Sequence, residues 1–319
     1  MTARTGSEFA PPLPIDDCII IFRTERSGVR GRLVRLGAAA NTILSSHQLP
    51  HAAASALGEA LTLVSLFGSA LKAGGKIILQ TRTGGMVSFL VADFVAAPAG
   101  SSALRGYARF DEATLAAIAR SGAAADRSRV LGNGTMAVTL DEGGDDGRYQ
   151  AVTALEGVTL AEAASSYFQD REATPAFVKL AVAPLYLKSS SEPQTQWRTG
   201  GLMLQPIAPA QQGTSGGDED DGWNRATILG GSVEDHELLD PTLTPERLLL
   251  RLFHEDGVRI ERVIPLAARC RCSRDRIADV LKSFGRHELA DMRDDSGRIT
   301  VTCEFCTAAY HFEMQEIGE

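Results

Sequence analysis

Four of the five cysteines fall in two tight pairs, Cys270 with Cys272 and Cys303 with Cys306. Close pairs separated by a helix-length spacer are a metal-ligand layout, in which each pair supplies two corners of a tetrahedron. The first pair is C-x-C, where ordinary zinc ribbons and fingers use C-x-x-C. Zinc is the expected metal. Four thiolates close its shell and leave no open position, which argues against catalysis by metal-bound water. His287 and His311 are alternative ligands, disfavoured because the shell is already full. His236 and His254 read as ordinary helix residues. Thiolates are also the species that oxidants attack, so the same four residues can serve as a redox centre.

Charge and hydropathy exclude several functions. The 319 residues leave room for more than one domain. There are 32 Lys and Arg against 40 Asp and Glu, a net charge of -8. From residue 266 onward the count is 8 against 10. A nucleic-acid binder needs a basic face, so nucleic acid is not an expected partner. The N-terminal residues lack the apolar core of a targeting signal. The most apolar stretch, residues 52–73, carries Glu59 and Lys72 and is too interrupted to span a bilayer. A soluble, cytoplasmic protein without a membrane partner is expected. Thiols stay reduced in that compartment, so paired cysteines point to metal or redox chemistry. Cys18 stands alone in an apolar run and reads as a small buried strand residue.

Patterning predicts an α+β protein with a mixed sheet and helix domain first, then a helical linker, then a small zinc-binding domain. Residues 1–14 form a loose tail, blocked by Pro11, Pro12 and Pro14. The N-terminal domain spans 15–205. Strands are predicted at 18–22 and 32–36, with Gly28 and Gly31 in the turn between them. Leu57, Leu61, Val64, Phe67 and Leu71 recur at helical spacing over 51–71, and Gly74 with Gly75 ends that helix. Residues 76–80 and 86–92 form a hairpin around Gly84 and Gly85. Further strands are predicted at 104–109, 135–140, 148–153, 177–182 and 200–205. Gly132 and Gly134 lead into a strand, so they form a turn rather than a phosphate loop. Thr159 with Glu162 is a capping box. The lack of a regular β-α repeat favours α+β over a doubly wound sheet.

Residues 206–262 form the acidic linker, beginning with a mobile loop over 206–222. Thr244, Pro245 and Glu246 start a helix. Its apolar face of Leu248, Leu249, Leu252 and Phe253 needs a neighbour to cover it. The cysteine domain occupies 263–319. Ser273 caps a helix whose inner side is Ile277, Val280, Leu281 and Phe284, ended by Gly285. A second helix covers 287–292, and strands at 299–303 and 310–312 place the second cysteine pair at a hairpin tip. Metal is worth on the order of 10 kcal/mol of folding free energy to such a module, so its removal unfolds the domain.

On spacing alone, a constitutive zinc ribbon holding a protein-interaction surface is the preferred reading. An oxidoreductase using Cys303 and Cys306 is a third, weakened by the lack of a thioredoxin-like β-α-β context. The surrounding residues shift the balance. Cys-Arg-Cys-Ser-Arg-Asp-Arg at 270–276 and Val-Thr-Cys-Glu-Phe-Cys at 301–306 carry the two pairs. With Leu-Arg-Leu-Phe-His-Glu at 250–255, Gly-Asn-Gly-Thr at 132–135, Tyr-Gln-Ala-Val-Thr at 149–153 and Gly-Gly-Leu-Met-Leu-Gln at 200–205, the chain resembles the redox-regulated 33-kDa heat-shock proteins over residues 16–312. These are bacterial holdase chaperones that need no ATP. The resemblance implies one zinc ion on Cys270, Cys272, Cys303 and Cys306 in an inactive reduced form. It implies Cys270–Cys272 and Cys303–Cys306 disulfides on oxidation, zinc loss, and unfolding of the zinc domain and linker. It also implies unfolded proteins as clients, a homodimer when active, and no enzymatic activity; Leu248, Leu249, Leu252 and Phe253 are the candidate client surface uncovered on that activation. The acidic insert over 213–222 is longer than the family pattern, and Cys18 is not one of the family's four.

Overall fold

The computed structural model describes residues 16–114, 130–143, 147–187, 194–207, 217–294 and 296–317. The predicted tail and residues 208–216 of the predicted loop lie outside these. The chain opens with β1 (Cys18–Thr24) and β2 (Val29–Leu36), an antiparallel hairpin that turns at Gly28 with φ +60°. Gly31 is not in the turn as predicted. It lies inside β2 opposite Phe22, and a Cβ there would sit 2.0 Å from Phe22 Cζ. The glycine is needed for that ring rather than for a bend.

Helix α1 (Ala38–Ser45) has no counterpart in the sequence reading. It is short, and its cap comes from outside its own sequence: Asp17 Oδ1 accepts from the Gly37 and Ala39 amides, both at 3.0 Å. Helix α2 (His51–Gly68) is buried along nearly its whole length. It stops earlier than predicted, because Gly68 receives the Phe94 ring and Gly74 N–H donates to Ala96 O at 2.8 Å. Gly74 and Gly75 therefore belong to the approach to the next strand.

There follow β3 (Lys76–Thr83), β4 (Val87–Val95), β5 (Ser102–Phe110), β6 (Gly134–Asp141) and β7 (Arg148–Leu155). Helix α3 (Leu160–Arg171) begins with the predicted capping box: Thr159 N–H donates to Glu162 Oε2 at 2.7 Å and Glu162 N–H to Thr159 Oγ1 at 3.3 Å. Strands β8 (Phe177–Leu187) and β9 (Gln194–Pro206) complete the N-terminal set.

The linker region holds α4 (Gly217–Gly231), α5 (Asp235–Leu239) and α6 (Pro245–Phe253). The loop predicted to reach 222 thus gives way to helix at Gly217. Strand β10 (Val258–Ala268) corrects the linker's predicted helical character up to 262, and the predicted boundary at 262/263 falls inside it. Its alternating apolar and charged residues suit a strand, and two strands need it. It pairs antiparallel with β1 and parallel with β5, so the described strands form one ten-stranded sheet in the order β7-β6-β3-β4-β5-β10-β1-β2-β9-β8.

Both faces of this sheet are covered near its middle, which explains the unbroken apolar run of β1. Ile19 and Ile21 face α2 and the main core. Cys18, Ile20 and Phe22 face the opposite way and pack with Leu248, Leu249, Leu252 and Phe253 of α6. Burying a side chain such as Phe253 contributes about 2–3 kcal/mol. The sheet also grips linker backbone. The buried Arg35 donates from Nε to Leu238 O at 3.1 Å and from its other nitrogens to the carbonyls of Glu237, Asp240 and Leu243. Burial lowers its pKa. Arg198 Nε donates to Leu239 O at 2.6 Å, and Lys179 Nζ donates to Val233 O. Among the described residues no helix is long and apolar enough to cross a membrane.

Candidate metal and redox centre

Just past β10 the chain forms a small module: α7 (Arg274–Leu281), α8 (Arg286–Asp291), β11 (Ile299–Thr302), β12 (Ala309–Phe312) and α9 (Met314–Ile317). Its core is small, namely Leu281, Leu289, Ile299, Phe312 and Ile317. Ser273 Oγ accepts from Arg276 N–H at 3.3 Å and starts α7 as predicted. Val280 and Phe284 are not on the inner side: they are 58% and 38% exposed. Helix α7 ends at Leu281, which takes the core position, and Val280 points about 100° away from it. Gly285 does not end α7 but opens α8, donating its N–H to Glu288 Oε2 at 2.8 Å.

The first pair sits between β10 and α7, the second at the tip of the β11–β12 hairpin. There Cys303 N–H donates to Ala308 O at 2.9 Å, Thr307 N–H donates to Cys303 O at 2.8 Å, and Thr307 takes a φ of +58°. This knuckle turns both sulfurs inward. All four Sγ atoms lie within 4.8 Å of one another, with Cys270–Cys303 at 3.7 Å and Cys272–Cys306 at 3.4 Å. Zinc–sulfur bonds of about 2.3 Å make a tetrahedron with edges of about 3.8 Å. The donor set and its spacing therefore fit a tetrahedral thiophilic ion. No histidine belongs to the cluster. His287 is exposed beside Asp291 at 3.4 Å, His311 Nδ1 lies 3.0 Å from Thr300 Oγ1, and His236 and His254 pair with neighbouring glutamates at the surface.

The thiols are electrostatically unlike. Burial disfavours ionisation of Cys270, but hydrogen bonds from Cys272 and the other thiols outweigh it and hold it at about 7. Burial raises Cys303 and pushes Cys306 up to about 12. The Tyr310 hydroxyl lies 3.2 Å from Cys272 Sγ, and that contact pushes the phenol up to about 12. Tyr310 was not singled out from sequence. Its place on the strand returning from the knuckle is the signal that could have found it.

The residues between the paired cysteines were also passed over, and they join the module to the sheet. Arg271 pairs with Asp93 of β4, a carboxylate 2% exposed that also receives Arg105 Nε at 2.9 Å. Glu304 accepts from Arg109 at 2.9 Å. The Phe305 ring meets Tyr107 edge-on at 4.9 Å and lies under the Arg105 guanidinium at 3.9 Å, while its carbonyl is 3.2 Å from His47 Nε2. Intra-pair residues cannot turn toward a metal their neighbours hold, which makes them natural contact points.

A mixed sheet-and-helix body whose last strand runs into a four-thiol module is a two-part protein with a centre suited to metal and thiol redox chemistry. Comparison with known proteins makes that class specific. The model of the family described as Hsp33 protein matches residues 17–313. A 33 kDa chaperonin of Caulobacter vibrioides is 42% identical over 299 residues, covering 94% of this chain and 95% of the relative. One from Nitrosococcus oceani is 34% identical over 298 residues, covering 93% and 92%. The crystal structure of the 33 kDa chaperonin from Thermotoga maritima superposes with a TM-score of 0.72 at 21% identity, covering 94% of this chain and 96% of that one, a likeness of fold. The chain belongs to the Hsp33 family. It is a redox-regulated chaperone of the non-enzymatic holdase type.

Proposed function

We propose that this protein is switched by oxidation of the four clustered cysteines. The observation that carries this reading is the gathering of four thiols within 4.8 Å at the end of β10, the strand that follows the linker helix α6. A zinc ion held by Cys270, Cys272, Cys303 and Cys306 would keep the sulfurs as thiolates and hold the small module folded. Oxidation joins Cys270 to Cys272 and Cys303 to Cys306. Each disulfide forms as two thiolates give up two electrons to one hydrogen peroxide, which takes two protons from solvent and leaves as two waters. Sulfurs so paired no longer serve as thiolate ligands, and five buried residues are too small a core for the module alone.

Loss of the module loosens the end of β10 and with it the linker. Leu248, Leu249, Leu252 and Phe253 then leave the sheet and meet unfolded client proteins, in a cytoplasmic protein that dimerises when active. Peroxide treatment at heat-shock temperature, with zinc release followed by a chromogenic chelator and client aggregation by light scattering, tests the reading. Zinc release and aggregation suppression should rise together. Retained zinc with no suppression would overturn the switch and favour a constitutive zinc-ribbon module.

A further inference from the structure

One sheet face carries both regulated parts of the molecule. Gly106 of β5 approaches Leu57 and Leu61 of α2, so Arg105, Tyr107 and Arg109 alternate onto the opposite face. That is the face on which α6 lies over Phe22 and its neighbours. The linker covers one half of it, and the knuckle between Cys303 and Cys306 touches the other.

We propose that the β5 strip of Arg105, Tyr107 and Arg109, with the cleft beside it, is a binding site for an extended peptide carrying an acidic residue followed by an aromatic one. Glu304 and Phe305 are its internal occupant. The site reads three features of that pair. Arg109 takes the carboxylate at 2.9 Å, Arg105 lies over the ring and Tyr107 meets it edge-on, and His47 lies 3.2 Å from the main-chain carbonyl. Cation–π and edge-to-face contacts on one ring select an aromatic side chain over an aliphatic one.

The knuckle does not fill the site. A cleft of about 620 Å³ continues from Tyr107 and Arg109 along Arg82, Ser88, Phe89 and Asn133. Among the described residues no carboxylate lines it, and the guanidinium of Arg82 lies 5.4 Å from the Phe89 ring centre. Among the described residues no acid pairs with Arg82. Two guanidiniums flanking an aromatic floor suit further acidic side chains on the same peptide. Once the module withdraws, the occupant is an acidic-aromatic segment of an unfolding client. That identity rests on the holdase reading, whereas the chemistry of the site does not.

A tethered occupant acts at an effective concentration on the order of millimolar, so it masks the site from weak free peptides. The test vacates it in the full-length protein, reduced and supplied with zinc. The probe is a fluorescein-labelled peptide of residues 300–309 with both cysteines replaced by serine, and binding is read by anisotropy. The double variant Glu304→Ala with Phe305→Ala should bind the probe at least tenfold more tightly than the unaltered protein. Adding Arg105→Ala and Arg109→Ala should abolish that gain, and a probe with its own Glu and Phe replaced by alanine should not bind. Equal binding by the unaltered and vacated proteins, or undiminished binding of the alanine probe, overturns the proposal. Zinc content and circular dichroism check folding. If the double variant fails to fold, Phe305→Ala alone decides, because it keeps the Arg109–Glu304 pair; no gain in that variant also overturns the proposal. No oxidant is present, so a failure here leaves the redox switch standing, and failure of the switch leaves this site standing.

Discussion

Phe253 of the linker helix α6 packs against Phe22 of β1, with ring centres 5.7 Å apart and planes inclined by 39°. Phe22 in turn lies over Gly31 of the neighbouring strand. This stack of linker ring, sheet ring and bare backbone fixes how tightly the linker is held.

Phe253→Ala should cost about 3–5 kcal/mol, the loss of a fully buried ring. Because the cost falls on the contact between linker and sheet, less oxidant should be needed for aggregation suppression. Limited proteolysis of the reduced protein should cut the linker faster. An unchanged peroxide dose–response would contradict the coupling.

Gly31→Ala tests the layer beneath. A methyl group 2.0 Å from Phe22 Cζ forces the ring out of its place. Overpacking of this kind costs about 1–3 kcal/mol. Thermal unfolding should show a lower midpoint, and Phe253 should lose its neighbour, giving the same sensitisation to oxidant.

Zinc binding should release protons. At pH 7 Cys306, at about 12, and the raised Cys303 are protonated in the metal-free state, whereas Cys270 at about 7 is half ionised. Thiolate ligation requires these protons to leave. Apparent affinity should therefore fall with falling pH, on the order of 100-fold per unit for two displaced protons. Zinc titration in weakly buffered solution with a pH indicator should show acidification by at least two protons per ion.

Asp93→Ala should destabilise the seat of the module. Its carboxylate is buried between Arg105 and Arg271, and removing one side of a buried pair costs about 3 kcal/mol or more. A double-mutant cycle with Arg271→Ala, read by urea unfolding, should give a coupling of about 0.5–3 kcal/mol. Zero coupling would mean that Arg271 does not tie the module to β4.

Legibility from sequence differed from region to region. The Thr159 and Thr244 caps, the hairpin at Gly84 and Gly85 and the second cysteine pair at a hairpin tip were readable, because each depends on residues a few positions apart. Helix α1 was missed because its cap, Asp17, is remote in sequence. Strand β10 was read as the end of a helical linker, since its partners Ser102–Leu104 and β1 are long-range. Val280 was assigned inward from spacing alone, although a helix this short gives one buried position to Leu281 and leaves its neighbour exposed.

By itself the sequence determined the four-thiol centre, the greasy face of α6 and the class of chemistry, because spacing and residue type suffice for thiolate ligation and amphipathicity. Only the tertiary structure decided what covers that face, how Arg35 grips the linker's carbonyls, and that Arg271, Glu304 and Phe305 seat the module on β4 and β5. Those contacts join segments as far as 202 to 208 residues apart for Arg35, and 178 to 195 for Arg271 and Glu304. No local pattern encodes such pairings. They exist because β10 joins the β5 and β1 parts of the sheet and brings both regulated parts onto one face.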